Sequence, residues 1–140
     1  MSTAPVDASR RRSRERALAL LYEADVKGEP VSTVVASLAV PPDEYAATLL
    51  RAVQAHGEEI DRLLGEVSEG WEVARMAVVD RNVLRLAAAE LVAVPSTPTA
   101  VVLSEAVELA TGYSTDESGR FVNGVLATVA SRVRPDPAAR

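Results

Sequence analysis

Residues 73–94 read VARMAVVDRNVLRLAAAELVAV, and within them Met76, Val79, Val83, Leu86, Ala87, Leu91 and Val94 recur mostly at intervals of three and four. That period keeps one face of a helix apolar, whereas a strand would alternate at two. The same spacing extends in both directions. Upstream it appears in RRRSRERALALLYEAD at 10–25, predicting a first helix from an N-cap near Ser9 to a stop at Gly28. Pro30 restarts a short helix with Val31, Val34, Val35 and Leu38 as its stripe, and Pro41-Pro42 ends it. Asp43 and Glu44, acids suited to a helix N-terminus, open a third helix carrying Tyr45, Leu49, Val53, Ile60, Leu63, Leu64 and Val67.

Downstream, PSTPT at 95–99 breaks the pattern, and Pro98 fits the start of a fifth helix, AVVLSEAVELATGY. STDE at 114–117 has the form of a capping box, Ser114 reaching forward and Glu117 back, and it introduces a last helix with Phe121, Val122, Val125, Leu126 and Val129 aligned. The chain therefore reads as all-α, two three-helix bundles packed together in one domain. Residues 9–70 form the first bundle and 71–134 the second, between a flexible N-terminus at 1–8 and a flexible tail at 135–140. Trp71, the only tryptophan, is expected to fill the seam. A glycine within a helix costs about 0.5–1 kcal/mol relative to alanine. Close helix packing is the expected compensation at Gly124, whereas Gly119 fits either packing or room for a ligand.

At 140 residues the chain is long enough to bury a core without cross-links. It has no cysteine, which removes disulfides, thiolate metal sites and cysteine nucleophiles, and its single histidine is His56. No apolar run of ~18 residues and no signal-peptide core is present, so the reading is a cytoplasmic protein without membrane contact. Catalysis has little to stand on. The pairs Asp43/Glu44, Glu58/Glu59 and Asp116/Glu117 suit helix starts or solvation better than acid–base chemistry. Glu105 and Glu108 share a helix face, but a metal site there would want histidine. No phosphate loop, zinc motif or nucleophile elbow occurs. No enzymatic activity, cofactor or metal is expected.

Charge is distributed unevenly. Arg10, Arg11, Arg12, Arg14 and Arg16 against Asp7 and Glu15 leave the first 16 residues at +3, and the rest of this chain of net charge −5 at −8. Leu18, Leu20, Leu21, Ala17 and Ala24 form the buried arc of the first helix, with Arg10 and Arg14 on its forward extension and Arg11, Arg12 and Arg16 pointing elsewhere. Arginine on every side predicts that these turns overhang the bundle or stay disordered until something anionic binds. Guanidinium forks at this spacing suit a nucleic-acid backbone; the alternative is a solvated terminus.

Three blocks, RRRSRERALALLYEAD, WEVARMAVVDRNVLRLAAAEL (71–91) and PTAVVLSEAVELATGYSTDESGRFVNGVL (98–126), closely resemble in order and spacing the transcription antitermination NusB family. Ser104 stands where asparagine is usual in that family, and Arg120 where lysine is common. The resemblance implies a non-enzymatic protein that binds boxA RNA of ribosomal RNA operon leaders together with NusE, also a small-subunit ribosomal protein. It further implies other Nus factors and RNA polymerase as partners, and homodimers alongside monomers. It assigns RNA contact to the five arginines, with Arg120 and Phe121 adding a charge and a stacking ring, and assigns Tyr22, Asp80 and Glu117 to partner surfaces. Two other readings are a helical protein-interaction module that does not touch RNA and a domain like that at the front of an rRNA cytosine methyltransferase. The chain shows no cofactor-binding α/β pattern for the latter.

Overall fold

The computed structural model describes the backbone of residues 4–135 and the side chains of residues 8–135. Six α-helices follow one another: α1 Ala4–Lys27, α2 Val31–Ala36, α3 Glu44–Val67, α4 Val78–Ala93, α5 Thr99–Tyr113 and α6 Asp116–Val133, with one 3-10 turn at Val73–Arg75 before α4. Among the described residues there is no strand.

Local chemistry sets the boundaries. Gly28 at φ 68° lets α1 end, its N–H donating to the Asp25 carbonyl (3.2 Å) while the Glu29 N–H reaches the Ala24 carbonyl (2.9 Å). Asp43 caps α3 by accepting from the Ala46 N–H at 3.1 Å. The cap of α6 is Thr115, which accepts from the Ser118 N–H at 3.0 Å, not the expected Ser114. The reason is that α5 runs on far enough for Ser114 to serve as its own C-cap, donating to Ala110. Thr115 is left as the extended residue that an N-cap requires. Arg134 closes α4 from outside, donating to the carbonyls of Leu91 (2.9 Å), Val94 (2.9 Å) and Thr97 (2.6 Å) at its C-terminal end.

Helix α4 lies at the centre, packing on α1 and α3 on one side and on α5 and α6 on the other. The run Ala87-Ala88-Ala89 is buried throughout, and small side chains let neighbouring axes approach closely. Leu84 joins Val83, Leu86 and Leu91 inside, so α4 is buried on more than the one face that its spacing indicated. The two groups α1–α3 and α4–α6 thus share a continuous core that includes Leu49, Leu64, Val102, Val122, Leu126 and Val129.

Three expectations change. Helix α1 begins at Ala4 and not at Ser9, so residues 4–8 of the expected flexible segment are helical; residues 1–3, and 136–140 of the expected tail, lie outside the described residues. Trp71 is 56% exposed and packs edge-to-face with Phe121, ring centroids 6.1 Å apart; α4 fills the seam in its place. A Cβ on Gly124 would meet nothing within 4 Å, whereas one on Gly119 would lie 2.3 Å from Thr111 Oγ1. Close approach of α5 therefore explains Gly119, and packing does not explain Gly124.

Candidate nucleic-acid interface

The turn of α1 that carries Arg11 and Arg14 does not overhang the bundle. Arg14 is 5% exposed, and its guanidinium forks onto Glu90 of α4, Nε to Oε1 at 2.9 Å and Nη2 to Oε2 at 2.7 Å. Its third nitrogen reaches Glu105 of α5 at 3.3 Å. Burying a charge is costly unless it is paired and hydrogen-bonded, and here both members are: Glu90, 1% exposed, also accepts from the Tyr45 hydroxyl at 2.6 Å. Arg11 makes a second fork, to Glu105 at 3.0 and 2.6 Å, with Glu108 at 3.4 Å. The Arg11 fork holds the Glu105 carboxyl below the usual range, burial opposing it and the charges of Arg11 and Arg14 adding to it.

These arginines are drawn inward because acids from α4 and α5 arrive beside them. They are 76 and 91 residues away from Arg14 in sequence. One signal was available: Glu90 lies three residues after Ala87 on the apolar stripe, and a carboxylate there demands a buried cation. Glu105 and Glu108, weighed above as a metal pair, are instead the anchor of Arg11.

The other arginines differ. Arg10 lies over the face of the Tyr45 ring, its guanidinium carbon 4.0 Å from the centroid. Arg12 and Arg16 are exposed one turn apart on the outer face of α1, and among the described residues neither they nor Arg10 form an ion pair. Arg10, Arg11, Arg12 and Arg14 line a groove of about 790 Å³ that continues to Thr97 and Pro98 at the start of α5.

A second groove, of about 490 Å³, brings together Asp80, Glu117, Arg120 and Phe121 with Trp71 and Met76 at the junction of α4 and α6. Asp80 Oδ1 is buried and accepts no hydrogen bond from the described residues. Its neighbours in sequence do not pair with it: Arg81 forks onto Asp25 at 2.6 and 2.7 Å, and Arg85 onto Asp61 at 2.9 Å twice. Tyr22, 44% exposed on α1, and Arg16 line neither groove. Among the described residues no cluster of histidine, aspartate and glutamate is arranged to hold a metal, and no helix is long and apolar enough to cross a membrane.

Two three-helix groups packed about a central helix, with one polar groove beside the arginines of the first helix and a second, polar and aromatic, at the junction of α4 and α6, define an all-α helical scaffold. Residues 11–131 match the NusB family, and the chain belongs to it. The transcription antitermination protein NusB of Acidothermus cellulolyticus is 48% identical over 125 residues, spanning 86% of each chain. That of Saccharopolyspora erythraea is 47% identical over 128 residues, spanning 87% of this chain and 86% of the other. T. maritima NusB superposes with a TM-score of 0.81 at 34% identity, over 90% of this chain and 93% of that one. NusB from a crystal structure of the antitermination factors NusB and NusE in complex with dsRNA gives 0.75 at 32%, over 88% and 96%.

Proposed function

We infer that this chain is a transcription antitermination factor that binds RNA together with NusE. The observation that carries the reading is the frame shared with the NusB that was crystallised with NusE and dsRNA, which extends over 88% of this chain. The finer reading is boxA RNA of ribosomal RNA leaders, bound in the cytoplasm within a complex of other Nus factors and RNA polymerase.

The RNA-contacting arginines in this reading are Arg10, Arg12 and Arg16, whose charge no carboxylate among the described residues neutralises. Arg14 and Arg11 serve the fold first. The groove at Asp80 supplies the second surface, Asp80 and Glu117 facing a protein partner while Arg120 and Phe121 extend the RNA path. Tyr22 belongs to the partner surface by its exposure.

The test is fluorescence anisotropy of a labelled boxA RNA titrated with the protein, with and without NusE. The expected result is saturable binding that NusE tightens and that a scrambled RNA does not reproduce. Absence of RNA binding with NusE present contradicts the reading.

A further inference from the structure

We propose that Tyr45 is a positioning residue that holds Arg10 ready for an RNA phosphate; the proposal rests on the RNA-binding reading above. Arg10 is one turn ahead of Arg14, on the same inward arc of α1. At the level of Arg14 that arc meets the Glu90 carboxylate, and at the level of Arg10 it meets the face of an aromatic ring.

The ring is itself fixed. Tyr45 occupies the first turn of α3, two residues after the Asp43 cap. Its hydroxyl donates to Glu90 Oε2 at 2.6 Å and lies 3.3 Å from Thr97 Oγ1. Arg14, immobilised by Glu90, stands 5.9 Å from the same ring centroid. Glu90, its oxygens filled by the Arg14 fork and the Tyr45 hydroxyl, has little capacity left to draw Arg10 inward.

A ring face attracts a guanidinium through its quadrupole and uses none of its N–H donors. Arg11 and Arg14 direct their donors at carboxylates, whereas Arg10 is held on the ring face and its fork engages no carboxylate among the described residues. The Asp43 carboxylate accepts from the Ser13 hydroxyl and the Ala46 N–H, and no carboxylate among the described residues lies within ion-pair distance of Arg10. A long side chain already confined loses less freedom when a phosphate binds.

The experiment compares Tyr45→Phe, which keeps the ring and loses the hydroxyl, with Tyr45→Leu, which loses the ring face. Each is made in the parent and in an Arg10→Ala background and titrated with boxA RNA in the presence of NusE. In the free proteins the Arg10 Nε–H resonance is followed by NMR for its ring-current shift. Tyr45→Leu should weaken RNA binding about two- to fivefold, the range a cation–ring contact supports, and abolish the ring-current shift. Tyr45→Phe should retain both, and Tyr45→Leu should have no further effect once Arg10 is gone. Equal losses from the two Tyr45 variants, or the same loss from Tyr45→Leu in the Arg10→Ala background, would overturn the proposal and assign Tyr45 to the fold alone. A parent that bound no RNA would overturn the functional reading instead, with the ring-current shift still showing whether Tyr45 holds Arg10.

Discussion

The inner and outer faces of the first turns of α1 carry the same residue type to opposite ends. Toward α4 and α5, the buried Arg14 meets Glu90, and Arg11, itself 55% exposed, forks onto Glu105. Outward, Arg12 and Arg16 form no ion pair within the described chain and remain open to a polyanion. Arg10 stands between, held over a ring and, among the described residues, paired with no acid. A basic run is therefore not one feature. It has to be divided by what each guanidinium faces before any of it is read as a binding surface.

The largest expected effect breaks the inner set. Arg14→Ala leaves Glu90 buried without its cation and should lower stability by about 3–5 kcal/mol in chemical denaturation. Replacing Arg14 by methionine and Glu90 by leucine together should recover much of that loss, since an apolar pair of similar volume carries no unpaired charge. A loss below about 1 kcal/mol for Arg14→Ala would mean that the pair is solvated and that the faces are not distinct.

Acid sharpens the comparison next. Burial pushes the Asp25 carboxyl up, but hydrogen bonds from Arg81 and Asn82, with the charges of Arg81 and Arg85, leave it below its ordinary value. Glu105 is lowered by its Arg11 fork. Both bind a proton more weakly in the folded protein than in the unfolded chain, whose carboxyls titrate near ~4. Their contribution to stability is thus present in full above about pH 5 and is lost as pH falls through the lowered folded values. Asp25→Asn should melt well below the parent at pH 7 and progressively closer to it toward pH 3. A gap that stays constant with pH would contradict the linkage.

The smallest expected change concerns a position outside both faces. Gly124→Ala meets no neighbour and should stabilise α6 by about 0.5–1 kcal/mol through helix propensity. Gly119→Ala should gain less, because Thr111 must first move. Equal gains at the two sites would remove close packing as the reason for Gly119.

Much of the frame was legible because it depends on residues near one another in sequence. Spacings of three and four marked six helices, Gly28 marked the end of α1, and Asp43 marked the start of α3. What stayed hidden depends on distant partners. Arg11 and Arg14 carry no local sign of Glu90 or Glu105, and Tyr45 looked like one more apolar position until α1 was laid across it. Ser114 and Thr115 are both good caps, and only the reach of α5 decides between them. Trp71 was expected inside on its size, yet a central helix rich in alanine and leucine already fills that space. In the candidate site the arginine run was visible, but its division was not.

The salt dependence of RNA affinity tests that division most directly. Each arginine that neutralises a phosphate on single-stranded RNA contributes about 0.7 to the slope of log affinity against log salt. With NusE present, boxA RNA is titrated across a fourfold range of salt with the parent, with Arg12→Ala/Arg16→Ala and with Arg11→Gln. The double variant should lose about 1.4 from the slope and melt near the parent, while Arg11→Gln should keep the parental slope. If the double variant keeps the slope, or Arg11→Gln loses as much per arginine as the double variant does, the inner and outer faces do not divide the work as described.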